Sequence, residues 1–104
     1  SRRIVHIIDG DSVRANSMRV ALNDMGVSAI VSADGAAGLV NMHLAANVDA
    51  FVIADVLPDL YASRVSKNIK ADPRFSDVAI HILGEEELTA YDVTIDMLLK
   101  NNTA

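Results

Sequence analysis

Residues 49–60 read DAFVIADVLPDL, and this stretch is the strongest indication of the fold. The apolar run within residues 49–54 is typical of a strand that is buried on both faces of a sheet. Asp55, Pro58 and Asp59 follow it, so the strand is expected to end in a polar loop. The stretch predicts a central strand with a carboxylate at its end, and it raises the question of whether Asp55 is a reactive group or the remnant of one.

Short apolar runs alternate with helical patterns on both sides of this strand. The other predicted strands are residues 4–8, 27–32, 78–83 and 95–99. The predicted helices are residues 13–25, 36–46 and 61–71. Strands that alternate with such helices form right-handed βαβ units and a parallel sheet covered on both faces. The sequence therefore predicts an α/β fold, a flavodoxin-like doubly wound sheet of five strands in the order 2-1-3-4-5.

The helical patterns also predict the face that each helix buries. The first helix is expected to turn inward Ala15, Met18, Leu22 and Met25. The face predicted for the second helix holds Leu39, Val40, His43 and Leu44. Asp11 or Ser12 is suited to cap the first helix, and Gly26 to the left-handed residue that ends it.

The composition describes one small acidic domain. The 104 residues suffice for one core, so residues 1–104 are predicted to form a single domain. A net charge of −5 disfavours binding to DNA or to an anionic membrane. Cysteine is absent, which excludes disulfides and thiolate chemistry. No apolar run is long enough to span a membrane and no signal peptide is recognisable, so a cytoplasmic location is expected.

Several pieces of the sequence, in order, resemble the receiver domain of two-component response regulators over essentially the whole chain. They are IVHIIDGDS, ALNDMGVSAIVSADGAAGL, DAFVIADVLPDL, IKADPRF and the final Lys100. The resemblance implies paired acids after strand one that bind Mg²⁺, and an aspartate ending strand three that accepts a phosphoryl group. It also implies a Ser or Thr after strand four and a Lys after strand five. Carboxylates suit a hard cation, and metal and lysine neutralise the transferred phosphoryl group.

The positions that carry this chemistry depart from the family pattern. Gly10 replaces the second acid after Asp9, and Gly84 stands where a hydroxyl is expected. Asp49 and Pro58 keep the separation seen in receivers, so an ungapped comparison places Ala54 at the acceptor position. A shift of one residue turns a side chain to the opposite face of a strand. We therefore expect strand three to present Ala54 at the crevice. The predicted vestigial pocket consists of Asp9, Asp11, Ala54, Asp55, Gly84 and Lys100.

Alternatives stay open for the individual residues. Asp55 is either a solvated loop acid, with no cofactor bound, or a phosphoacceptor brought into place by a bulge, with Mg²⁺ held by Asp9, Asp11 and Asp55. Asp9 and Asp11 are otherwise ordinary caps of the first helix. His6 and His81 fall within buried strands and are expected to be core histidines.

A basic stripe is predicted along the third helix and just past it. Its members are Arg64, Lys67, Lys70 and Arg74. The stripe is either a solvated helix face or a surface for an acidic partner or a nucleotide second messenger such as cyclic di-GMP. Tyr61 or Tyr91 would then offer a stacking platform.

The sequence as a whole predicts a pseudo-receiver, which is a receiver-like regulatory module and not an enzyme. The partners that the resemblance implies are a histidine kinase or an adjacent receiver or effector domain, in bacterial phosphorelay signalling, with a hybrid histidine kinase as the setting. The fourth helix is expected to be shortened and the fifth to be missing from this chain. Met97 and Leu99 would then offer apolar surface for a partner or for self-association.

Overall fold

The computed structural model describes residues 3–45 and 47–84. In order, its elements are β1 (Ile4–Ile8), α1 (Ser12–Asp24), β2 (Ser28–Ser32), α2 (Gly35–Leu44), β3 (Ala50–Ala54), α3 (Ala62–Ala71), a 3₁₀ turn (Pro73–Phe75) and β4 (Ala79–Leu83). The strands and helices predicted for this part of the chain are confirmed, with small differences at their ends. The predicted strand 95–99, the shortened fourth helix, Lys100, Met97, Leu99 and Tyr91 lie outside the described residues. None of the described helices has the length and apolar character needed to cross a membrane.

The described strands form one parallel sheet in the order β2-β1-β3-β4. Strand β1 pairs with β2 from Ile4 opposite Ser28, and with β3 up to Ile8 opposite Ile53. Strand β3 pairs with β4 up to Ala54 opposite Leu83. This confirms the predicted order for the strands that are described. The carboxyl ends of β1 and β3 therefore meet at the point where the strand order reverses, which is where open α/β sheets place their sites.

Apolar side chains cover both faces of the sheet. On one face, α1 buries Ala15, Met18 and Leu22 against β1 and β3. On the other face, α2 and α3 cover a second cluster that contains Phe51, whose ring meets that of Phe75 edge to face at 5.6 Å. Every residue of β3 is buried, as the apolar run predicts for a central strand.

Helix α2 turns a different face to the sheet from the predicted one. Val40 is 58% exposed and Leu44 is 79% exposed, whereas Gly38 and Met42 are buried. A Cβ on Gly38 would lie 2.6 Å from Cδ1 of Ile8, so the absence of a side chain brings the helix close to β1. The predicted face was right for Leu39, which packs against the second cluster, and wrong for Val40 and Leu44, because it counted large apolar side chains and gave no weight to glycine.

The first helix begins and ends at the signals that the sequence carries. The Asp11 carboxylate accepts a hydrogen bond from the backbone N–H of Arg14 at 3.0 Å, which makes Asp11 the N-cap. Gly26 has a φ of 81°, the left-handed conformation that follows many helices. The prediction for Met25 was wrong: it lies just past the helix and is 49% exposed, because the chain turns away at this point.

Candidate functional site

The candidate site lies in the crevice beyond the carboxyl ends of β1 and β3. The backbone N–H of Asp55 donates to the carbonyl of Leu83 at 3.0 Å, so the β3–β4 ladder continues one step past Ala54. Extending the two registers sets Asp55 level with Gly84 on one side and with Gly10 on the other. Asp55 therefore stands between the two positions at which the expected acid and hydroxyl are replaced by glycine.

The prediction that strand three presents Ala54 at the crevice was wrong. Ala54 is 3% exposed and belongs to the apolar cluster that contains Ile8 and Leu57, whereas Asp55 is exposed. The prediction assumed that the chain matches receivers without a gap from Asp49 to Pro58, which moves Asp55 one residue past the acceptor position. The ladder is regular through Ala54, so the interval that is short relative to receivers is the loop from Asp55 to Pro58.

Asp9 is a buried carboxylate held by an arginine. Its side chain is 2% exposed, and Arg14 donates from Nε to Oδ2 and from Nη2 to Oδ1, both at 2.6 Å. The backbone N–H of Asp11 also donates to Oδ1, at 2.9 Å. Two-point pairing between a guanidinium and a carboxylate is among the stronger polar interactions in proteins. Asp9 is thus engaged in an ion pair and does not cap α1, the role that Asp11 alone fills.

Arg14 is the residue of this crevice that the sequence patterns did not reveal. It lies in the first turn of α1, and the capping bond to Asp11 fixes that turn beside the end of β1. Its Nη1 is 3.6 Å from Oδ2 of Asp11, so one guanidinium faces both carboxylates of the β1–α1 loop. A basic residue shortly after an acidic loop was the available signal, but spacing alone does not show that the side chain folds back.

Position 10 has no room for a side chain. A Cβ on Gly10 would lie 2.9 Å from both Cγ and Cδ of Pro58, and 3.4 Å from the carbonyl oxygen of Ala33. Contacts below about 3 Å require a neighbour to shift. The acid that the receiver resemblance implies here would therefore displace the loop that carries Pro58.

The loop that carries Pro58 is hydrogen-bonded to the start of α2. The Asp59 carboxylate accepts hydrogen bonds from the backbone N–H groups of Gly35 and Ala36 at 2.8 and 2.9 Å. The bonds from Ala36 and then Gly35 hold the pKa of Asp59 below its usual value. Leu60 packs so closely on Gly35 that a Cβ there would lie 2.8 Å from Cδ1 of Leu60. These contacts keep Pro58 in place over Gly10.

The residues of this crevice do not fit Mg²⁺, the ion that the resemblance implies. Mg²⁺ needs oxygen ligands in near-octahedral geometry. Both oxygens of Asp9 are bonded to Arg14, and position 10 offers no carboxylate. Within residues 3–45 and 47–84, no group of three or more His, Cys, Asp or Glu side chains is placed to hold a metal ion.

Replacing Gly10 with Ala tests the contact with Pro58. Because the added Cβ meets a ring and not the end of a flexible side chain, we expect the free energy of unfolding to fall by about 1–2 kcal/mol. Urea unfolding followed by circular dichroism measures the change. Introducing Pro58→Ala beside Gly10→Ala removes the obstructing ring and should recover most of the loss. If Gly10→Ala is neutral or stabilising while Pro58 is present, position 10 is open and the contact is not as described.

Arg74, a member of the predicted basic stripe, has a structural role. It pairs with Asp72 at 3.0 Å and lies 4.9 Å above the ring of Phe75. It also donates to the carbonyl oxygens of Ala45 and Met42 near the end of α2, at 3.4 and 3.5 Å. The hydrogen bond from Arg74 holds the pKa of the Asp72 carboxyl below its usual value.

The other basic residues of the stripe lie on the exposed side of α3. The Nζ of Lys70 donates to the carbonyl of Val78 at 3.0 Å. Arg64 and Lys67 are exposed, and neither forms an ion pair with another described residue. Tyr61, 68% exposed, stands at the start of this helix, and its carbonyl accepts from the backbone N–H of Arg64. Binding of an acidic partner or a second messenger by this surface stays a prediction.

His6 lies in the core, as predicted. It is fully buried, and its Nε2 lies 2.7 Å from Oγ of Ser32. The Nδ2 of Asn41 donates a hydrogen bond to the same Oγ at 2.8 Å. Its Nδ1 has no hydrogen-bond partner among the described residues. Burial lowers the pKa of His6 to about 4, so the imidazole is neutral near pH 7. His81 is half-buried on β4.

Known proteins share the fold of this chain without close similarity in sequence. No protein-family model and no curated protein matches it. A sensor protein from Polaromonas sp. JS666 has a TM-score of 0.81 at 17% identity, over 96% of this chain and 95% of that one. A response regulator receiver domain protein from Bacillus halodurans C-125 has a TM-score of 0.77 at 16% identity, over 94% and 97%. The chemotaxis response regulator CheY4 of Vibrio cholerae has a TM-score of 0.76 at 16% identity, over 97% and 96%. The fold of this chain is that of response regulator receiver domains.

Proposed function

We propose that the domain is a regulatory and interaction module of bacterial two-component signalling that works without phosphoryl transfer. It controls a histidine kinase or a neighbouring receiver or effector domain through protein contacts in the cytoplasm. The receiver fold supports the signalling context, and the resemblance of the sequence suggests a hybrid histidine kinase as the setting. No catalytic role is proposed for any of its residues.

The observation that carries this proposal is the closed space at position 10. A phosphoryl group on an aspartate needs a metal ion beside it to neutralise its charge. Gly10 offers no carboxylate to such an ion, and a Cβ at this position would lie only 2.9 Å from the ring of Pro58. Gly84, level with Asp55, offers no hydroxyl to the transferred group. The features that remain are the scaffold of a receiver and its outer surfaces.

Phosphoryl acceptance at Asp55 is a second candidate function, and the position of Asp55 favours it. The carboxylate is exposed directly after β3, at the reversal of strand order. A bulge is not required to bring it there, because the regular β3–β4 ladder already does so. The two candidate functions differ in whether the Asp55 carboxylate, with a metal ion bound beside it, accepts a phosphoryl group from a phosphodonor.

Exposure to a small phosphodonor separates the two functions. The chain is incubated with acetyl phosphate and Mg²⁺, beside a conventional receiver domain as positive control, and its intact mass is measured over time. We expect no phosphoryl adduct on this chain under conditions that modify the control. An adduct that is lost in the Asp55→Asn variant would overturn the proposal and establish the phosphoacceptor function.

A further inference from the structure

Asp9 is the carboxylate that the described part of the chain buries, and a buried carboxylate needs a compensating positive charge. In a crevice of this fold, the resemblance implies that a divalent cation would supply that charge. The structure supplies it from within the chain. The guanidinium of Arg14 is 2.6 Å from each oxygen of Asp9, at the distance of a charge-assisted hydrogen bond.

The position of this guanidinium is fixed by short-range structure. Asp11 caps α1 through the backbone N–H of Arg14, and the backbone N–H of Asp11 donates to Asp9. The three residues are thus connected to one another by contacts across the β1–α1 loop. The Arg14 side chain is 21% exposed, so water has limited access to the pair. A rigid, weakly hydrated guanidinium suits a partly buried ion pair better than an ammonium group does.

The guanidinium also lies close enough to both carboxylates of this loop to offset part of their negative charge. Asp9 and Asp11 are the acids of the loop, and the guanidinium of Arg14 faces both, with Nη1 3.6 Å from Oδ2 of Asp11. A cation that entered between these carboxylates would have to displace the guanidinium and would meet its positive charge. The same side chain therefore satisfies the acids and repels a metal ion.

We propose that Arg14 is a resident cation that replaces the divalent metal ion in this crevice. The β1–α1 loop keeps one conformation whether or not divalent ions are present, and removing the guanidinium turns Asp9 and Asp11 into a weak divalent-cation site. The inference rests on the proposed function, since it explains how the crevice is kept in one state without metal or phosphoryl group. It concerns metal binding alone and does not depend on the reactivity of Asp55.

Titration with Mn²⁺ tests the proposal. Paramagnetic broadening of backbone amide signals reports binding at residues 9–11 in the wild type, in Arg14→Gln and in Arg19→Gln. Arg19 lies on the same helix and bonds to Asn16, so its replacement removes one positive charge without touching Asp9. Wild type and Arg19→Gln should show no saturable broadening at these residues. Arg14→Gln should bind at least about tenfold more tightly than wild type, since a nearby unit charge opposes a divalent ion by at least this factor.

Two results would overturn the proposal that Arg14 replaces the divalent metal ion. One is wild-type affinity for Mn²⁺ equal to that of Arg14→Gln, and the other is a variant that folds and gains no affinity. If Arg14→Gln does not fold, Arg14→Lys keeps the charge but loses the two-point geometry, and its affinity should lie above that of wild type. The melting temperature in Mg²⁺ gives an independent readout, because added Mg²⁺ should stabilise the Arg14 variant and leave wild type unchanged. A phosphoryl adduct on Asp55 in wild type would defeat the proposed function, whereas these affinities decide the role of Arg14 separately.

Discussion

Replacing Arg14 with Gln is expected to lower the free energy of unfolding by about 3 kcal/mol, because breaking a buried ion pair leaves an uncompensated charge. The stranded group is Asp9, whose side chain is 2% exposed and has both oxygens bonded to Arg14. Urea unfolding at neutral pH gives the change. The loss should be similar at low and high salt, since added ions screen a buried pair weakly.

The matched control for this prediction is Arg19→Gln, which changes the same charge on the same helix. Arg19 bonds to Asn16 at the surface, so its replacement should alter stability by no more than about 0.5 kcal/mol. Adding Asp9→Asn to Arg14→Gln should recover part of the loss, since the neutral amide is cheaper to bury than an unpaired carboxylate. If Arg14→Gln costs no more than Arg19→Gln, Asp9 is not dependent on the guanidinium.

Acidification from pH 7 to pH 4 is expected to destabilise the domain by about 3 kcal/mol through His6, because each unit of pKa difference is worth about 1.4 kcal/mol. Burial lowers the pKa of His6 from 6.5 in the unfolded chain to about 4 in the folded one. The unfolded state therefore binds more protons between these values. This contribution to stability is fully present above pH 6.5 and is lost as the pH falls towards 4.

Two variants isolate the contribution of His6 to this pH dependence. His6→Leu removes the titrating group and leaves Asn41 bonded to Ser32, so the slope of stability against pH between 6.5 and 4 should flatten. His43→Gln is the control, since the His43 side chain is 65% exposed, and it should keep the wild-type slope. An NMR titration of the imidazole decides the point, because a His6 pKa near 6.5 would contradict its burial as a neutral group.

The parts of the fold that follow from local pattern were predictable from the sequence. The apolar run ending at Ala54 gave the fully buried central strand, and alternation with helices gave the parallel sheet order. Asp11 and Gly26 mark the ends of α1 because capping and left-handed geometry depend on residue type within a few positions. Such features need no knowledge of distant contacts.

The features that depend on contacts between separate elements were missed. The buried face of α2 is set by the close approach of Gly38 to Ile8, which a search for large apolar residues overlooks. The side of the sheet to which Ala54 points depends on where the one-residue difference from receivers lies. In this chain it lies in the loop before Pro58 and not in β3. Neither the buried face of α2 nor the orientation of Ala54 can be predicted from residue types alone.

The candidate site shows the same division. Its location, and the losses at Gly10 and Gly84, could be inferred from order and resemblance. The guanidinium that holds Asp9 could not, because the return of a long side chain to a strand end is a three-dimensional contact. The position of the Pro58 loop over Gly10 could not be predicted for the same reason, since it depends on hydrogen bonds from Gly35 and Ala36 to Asp59.

The most direct test of a crevice without phosphoryl chemistry is the amide spectrum of the wild-type chain in the presence of Mg²⁺ and beryllofluoride. Beryllofluoride imitates a phosphoryl group on an aspartate and needs the same metal site. We expect the amide signals of residues 9–11, Asp55 and Gly84 to stay in place as the two are added. Saturable shifts at Asp55 and Gly84, absent in Asp55→Asn, would contradict it and make this crevice a working phosphoacceptor site.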